Sequence, residues 1–179
     1  MDPVDLITAS TDWARAEMFS TRFFIFFAGA FLAASLGFWR LGQTDIARAY
    51  VIPLLVAGVL LMAIGLGLFF TNKARVGQFE AAHAEDAAAF IQSEITRAEA
   101  TLREYDTVVF KAIPLLLVVA ALIIAFVSTP VWRASAITAM AMLIVILLVD
   151  GTAHARIEGY YQQLLAAEGG LAPLPKPTR

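Results

Sequence analysis

Residues 112–149 read AIPLLLVVAALIIAFVSTPVWRASAITAMAMLIVILLV, and Arg133 is the one charged side chain in the run. A helix crosses a hydrocarbon core of about 30 Å with roughly 20 residues. The run is therefore long enough to cross twice. The doublet Thr129-Pro130 marks the turn between the two crossings, because proline lacks an amide hydrogen and disfavours helical geometry in the residue before it. The stretch predicts a tight hairpin of two transmembrane helices.

Working outward, segments 23–39 and 49–72 are equally free of Asp, Glu, Lys, Arg and His. Segments 112–132 and 134–149 complete a set of four. The first and last are short for a bilayer, but Arg22, Arg40 and Arg133 flank them and can extend their charged ends to the interface. The chain of 179 residues is 60% hydrophobic and 16% charged, and its charged residues and both histidines all fall outside these segments. Its mean hydropathy of +0.74 lies above the usual range of water-soluble domains. The fold expected is all-α: an integral membrane four-helix bundle whose helices extend into a small cytoplasmic helical bundle.

Orientation follows from the basic residues. Arg15, Arg22, Lys73, Arg75, Arg97, Arg103, Lys111, Arg156, Lys176 and Arg179 fall on one side of the four spans, against Arg40, Arg48 and Arg133 on the other. Both termini and the long middle connection are therefore expected in the cytoplasm. Trp39, Tyr50 and Trp132 then share the outer interface, where amphipathic rings prefer to lie. The abundance of arginine over lysine and of alanine suggests a GC-rich bacterial gene, and with the four spans the expected location is a bacterial inner membrane. The acidic start, with Asp2, Asp5, Asp12 and Glu17, is the reverse of a signal peptide's basic leader, so span one is expected to be retained.

The expected organisation is an N-terminal cytoplasmic or interfacial amphipathic segment (1–22), spans one and two (23–72), a cytoplasmic helical hairpin (73–111), spans three and four (112–149), a helical extension (150–168) and a flexible tail (169–179). In the hairpin Ile91, Ile95, Ala98, Leu102, Tyr105 and Val109 recur at spacings of four and three, a coiled-coil-like heptad seam that runs into span three. One helix from about 86 to 129 is predicted, roughly 65 Å long and reaching about 35 Å beyond the bilayer. Its apolar stripe requires a cover, and the continuation of span four offers one in Ala153, Ile157, Tyr160, Tyr161 and Leu164. The breaker Gly169-Gly170 is expected to end that continuation, and Pro173, Pro175 and Pro177 to leave an extended end. A shorter arm from Lys73 to His83 is expected to fold back near Glu85-Asp86, although no Gly, Pro or Asn marks the turn within 80–90. At the N-terminus Asp2 before Pro3 is a helix cap and Ser10-Thr11-Asp12 a second one, the alternative being an unbroken continuation of span one.

Composition excludes several classes of function. Without cysteine there is no disulfide framework, thiolate metal site or cysteine nucleophile. A net charge of −2 provides no basic field for nucleic acid. Polar residues within the spans are few and weak, Ser35, Ser128, Thr129, Ser135 and Thr138 among them, whereas ion-coupled transporters and pumps place ionisable groups at that depth. Phosphate-loop, HExxH and nucleophile motifs are missing too, so no cofactor and no enzyme activity is expected.

Two kinds of residue pattern remain. Gly29, Ala33 and Gly37 on span one stand four apart, and Gly58 and Gly65 on span two stand seven apart; such small-residue faces let helices approach closely, within the chain or between chains. Glu80 with His83, and Asp150, His154 and Glu158 at four-residue spacing, are the candidates for holding a metal ion if the shorter arm packs against the extension of span four. Solvated polar faces are the plainer reading of both. The interspersed charges between Glu94 and Asp106 read as paired charges on a wet face. For partner or arm packing the candidates are Ile91, Ile95, Leu102, Tyr105, Ile157, Tyr161 and Leu164.

The function expected is that of a non-enzymatic accessory or scaffold subunit of a membrane complex. Its partners would be the lipid bilayer together with another membrane protein or further copies of the chain. The alternative is a small homo-oligomeric channel for ions or solutes with an uncharged pore.

Overall fold

The computed structural model describes residues 3–171. The cap expected at Asp2 and the prolines of the tail lie outside the described residues. The described chain is all-α and has four helical runs long and apolar enough to cross a membrane.

Helix α1 runs unbroken from Pro3–Leu41. The N-terminal segment is thus the foot of span one: no break falls at position 22, and Ser10 does not cap a helix. Its hydroxyl instead bonds back to the Leu6 carbonyl at 2.9 Å, as serine does inside a helix. A one-turn helix that sequence reading missed, α2 (Asp45–Ala49), lies in the connection to α3 (Val51–Glu85); Thr44 caps it by accepting from the Ala47 amide. After α3 the chain reverses at Asp86, whose carboxylate accepts from the Ala88 and Ala89 amides and starts α4 (Ala87–Glu104). The turn left open within 80–90 is therefore an aspartate N-cap.

The helix predicted over 86–129 is present as one continuous helical run, Ala87–Phe126, with a change of register inside it. Between α4 and α5 (Ile113–Phe126) the chain is a π-helix from Tyr105–Ala112, and α5 stops at Phe126. Pro114 gives this change of register a physical reason: it has no N–H to give, and its ring would collide with the carbonyl four residues back in an α-helix, which a wider preceding turn avoids. Helix α6 (Pro130–Leu171) begins at the predicted proline and passes through Gly169, so the expected breaker does not stop it there.

Because the helices pack antiparallel, the foot of α1, the lower halves of α3 and α6, and all of α4 meet at one end, here termed the arm end. The opposite, turn end holds connections 42–50 and 127–129. Between Arg22 and Arg40 α1 rises about 27 Å, close to the depth of the hydrocarbon core.

Two apolar cores divide the length. At the arm end Leu6, Trp13 and Ala14 of α1, Phe79 of α3, Phe90, Ile91, Ile95 and Ala98 of α4, and Ile157, Tyr160 and Leu164 of α6 are buried together, with Leu102, Tyr105 and Tyr161 packed against them. The heptad seam is thus covered by α6 and by the foot of α1. Within the spans Phe24, Ala28 and Phe31 of α1, Ala57 and Leu61 of α3, and Val145 and Val149 of α6 form the second core. Elsewhere the spans are thinly covered: at most 28% of the most apolar stretch of any span is buried within the chain. Their remaining apolar surface faces outward, which only lipid or another apolar helix accommodates.

Candidate functional site

Two features stand out from the general packing: a buried polar seam through the arm end and an open face on α1.

The seam starts at Glu94, which sequence reading placed on a wet face and which is in fact buried at 7% exposure. Its carboxylate takes both arms of the Arg97 guanidinium, with Nε donating to Oε1 at 3.0 Å and Nη2 to Oε2. The Tyr160 hydroxyl reaches the same carboxylate at 2.9 Å from α6, and Ser10 of α1 lies 2.8 Å from that hydroxyl. Ser10 and Tyr160 have two hydroxyl hydrogens for three contacts, to Glu94, to each other and to the Leu6 carbonyl. The charged acceptor makes the strongest bond, so the phenol proton goes to Glu94 and the serine proton is shared between Tyr160 and Leu6. Around this chain the Trp13 ring stacks on Tyr160, with centroids 5.2 Å apart and planes 11° from parallel, while Arg97 lies 4.4 Å above the Trp13 ring. A cation held between a carboxylate and an aromatic face in low dielectric is well compensated. Burial pushes the Tyr160 hydroxyl well above the ordinary phenol range, and the neighbouring Glu94 charge adds to that.

A second polar layer lies nearer the candidate spans. Arg156 of α6 donates from Nε to Glu17 at 2.9 Å and from Nη2 to Ser20 at 2.7 Å, tying α6 to α1. Burial raises the Glu17 carboxyl above the usual carboxylate value, outweighing the opposing hydrogen bond and charge of Arg156. Beside this layer His154 receives two aromatic neighbours from the π-helix, Tyr105 at 5.6 Å and Phe110 at 5.0 Å, both edge-on. In an α-helix positions five apart diverge by about 140°, but the wider π turn of roughly 4.4 residues brings them within about 50°. The π register is what allows both rings to meet one histidine.

The metal candidates are not brought together. His83 lies against Phe90 at the far tip of the arm, whereas His154 lies against the π-helix next to the candidate spans. No group of three His, Cys, Asp or Glu side chains able to hold a metal ion occurs among the described residues, so Glu80, His83, Asp150, His154 and Glu158 do not form the convergent site. The turn of the short arm positions His83 on α4, not on α6.

The glycines separate into two groups. A methyl group on Gly58 would come within 2.7 Å of Leu32, and one on Gly65 within 3.0 Å of Phe24 and Ile25, so these two seat α3 directly on α1. Ser35 reinforces the same contact by donating to the Val51 carbonyl at 2.7 Å. On Gly29 or Gly37, by contrast, a methyl group would meet nothing within 4 Å, and Ala33 between them is exposed. The chain's own packing thus uses one small-residue face and leaves the other open.

Among these residues sequence reading missed Glu94, Arg97, Ser10 and Trp13. A signal for Glu94 existed: it flanks the seam, next to Ile95 and three residues after Ile91, where a charge is forced against whatever covers the stripe. No protein-family model, curated protein or solved structure matches the chain.

Proposed function

We propose that this protein is a non-enzymatic scaffold or accessory subunit of a membrane complex. In this reading it sits in a bacterial inner membrane with both termini in the cytoplasm, as the distribution of Lys and Arg suggests. It assembles with another membrane protein, or with copies of itself, through the α1 face of Gly29, Ala33 and Gly37. The observation that carries the reading is the contrast between the glycines: Gly58 and Gly65 are consumed by internal packing, while a methyl group added at Gly29 or Gly37 would meet no other part of the chain within 4 Å. Within a bilayer there is no hydrophobic force between helices, so close backbone approach at such a face is a principal source of association. The heptad seam of the arm end is already occupied: Ile91, Ile95, Ala98 and Val109 are buried, and Leu102 and Tyr105 are partly buried against the same core.

The test is the mass of the protein extracted from its own membranes in the mildest detergent, compared between wild type and Gly29→Leu or Gly37→Leu. A fixed assembly in the wild type that falls apart in the variants supports the reading. A monomer in both overturns it. The same face also serves the homo-oligomeric channel, because a ring of α1 helices would line an uncharged path. Conductance in planar bilayers that disappears in Gly29→Leu would select the channel, whereas electrically silent oligomers would leave the scaffold.

A further inference from the structure

We propose that the cleft at the turn end, where α1 passes through α2 into α3, binds the phosphate of an anionic phospholipid between Arg40 and Arg48. The cleft has a volume of about 790 Å³ and is lined by both arginines together with Trp39, Gln43, Val51 and Ile52, among others. None of its lining residues is acidic. Two guanidinium groups facing one cleft repel each other, and an anion between them converts that repulsion into two charge-assisted contacts.

Both arginines are oriented and neither is neutralised. Arg40 lies over the Trp39 ring at 5.0 Å, and Arg48 donates its Nε to the Gly42 carbonyl at 3.4 Å, which leaves its terminal nitrogens for another acceptor. Among the described residues neither arginine forms an ion pair. Asp45, the one acid in the connection 42–50, belongs to the first turn of α2 and does not line the cleft. Arginine forks match phosphate oxygens in geometry as well as charge.

The location identifies the source of the phosphate. Trp39 and Ile52 line the same cleft and are 63% and 70% exposed, so an apolar rim accompanies the two cations. That combination suits a molecule with an anionic head and acyl chains, positioned at the end of a span where headgroups lie. An anionic headgroup is preferred over a zwitterionic one, whose own ammonium would bring a third positive charge into the cleft.

The experiment uses the full-length protein in mild detergent, with native mass spectrometry and thermal unfolding in the presence of phosphatidylglycerol, phosphatidylcholine of the same chains, or inorganic phosphate. The expected result is selective retention of phosphatidylglycerol with a raised unfolding temperature, and an affinity about tenfold weaker for each of Arg40→Gln and Arg48→Gln. Arg22→Gln, at the opposite end of span one, should bind as wild type, and Arg40→Lys should lie between Arg40→Gln and wild type. Unchanged phosphatidylglycerol binding in the folded Arg40→Gln variant overturns the proposal. So does equal retention of phosphatidylcholine, or displacement by inorganic phosphate at concentrations comparable to the lipid.

Discussion

Tyr160 donates its phenol hydrogen to the Glu94 carboxylate at 2.9 Å, joining two helices whose bonded residues stand 66 positions apart in sequence. The bond also positions Tyr160 for Ser10 and Trp13 on α1, so a single phenol links three helices at the arm end. Tyr160→Phe keeps the ring and its stacking but removes the donor, leaving Glu94 with Arg97 alone. A loss of about 1–3 kcal/mol is expected, because the hydrogen bond is buried and its acceptor is charged. Glu94→Ala should cost more, about 3–5 kcal/mol, since it strands the Arg97 cation. Unfolding in detergent followed by circular dichroism, with the Tyr160→Phe/Glu94→Ala double variant closing the cycle, measures the coupling. Additive effects would show that the bond contributes nothing.

The same phenol makes stability depend on alkaline pH. Tyr160 holds its proton more tightly folded than unfolded, since burial raises its pKa. Its contribution is therefore fully present below the ordinary tyrosine value of about 10 and is lost as pH rises beyond it. Unfolding temperature should fall above that pH in the wild type, and less steeply in Tyr160→Phe.

Glu17 gives the corresponding dependence on the acid side. Its folded carboxyl is raised by burial, so the folded state binds the proton more strongly than the unfolded chain does. Its contribution is present below the ordinary carboxylate range and is lost as pH climbs through the raised value. Glu17→Gln, which keeps an oxygen to accept from Arg156, should flatten that part of the stability profile. An unchanged profile in the variant would assign the dependence to other carboxyls.

The glycines predict opposite responses to one added methyl group. Gly58→Ala brings a Cβ within 2.9 Å of Leu32 side-chain carbons and 3.1 Å of its backbone nitrogen, so α1 and α3 must separate. A destabilisation of about 1–3 kcal/mol is expected, as for other overpacked sites. A methyl group on Gly29 meets nothing within 4 Å, and because Gly29 lies inside α1 without a positive φ, Gly29→Ala should stabilise the monomer slightly, by up to about 1 kcal/mol, through helix propensity. Thermal unfolding of the two variants in detergent compares them directly.

Pro114→Ala restores an amide hydrogen and removes the clash that widens the preceding turn. The π segment should then tighten toward α geometry, rotating Phe110 away from Tyr105 so that His154 keeps one aromatic neighbour. Ring-current shifts of the His154 imidazole protons, measured by NMR, would report the change, and identical shifts in wild type and variant would rule out proline as the cause of the π register.

Sequence by itself determined the four candidate spans, their hairpins and the covered stripe of the long arm. The reason is local and physical: in hydrocarbon a backbone must satisfy its own hydrogen bonds, so 16–24 uncharged residues between charged flanks have helix as their available form. Periodicity likewise marked Ile91, Ile95, Ile157 and Leu164, which are buried, and Leu102, which is half-buried against them. Tertiary structure alone decided which polar groups are inside. Glu94 and Arg97 look like any i, i+3 surface pair until α6 and the foot of α1 close over them, and burial, not spacing, turns the pair into a lock. It also decided which small residues remain free, because Gly29 and Gly58 carry the same signal in sequence, and only the lateral position of Leu32 against α3 separates a filled contact from an open one.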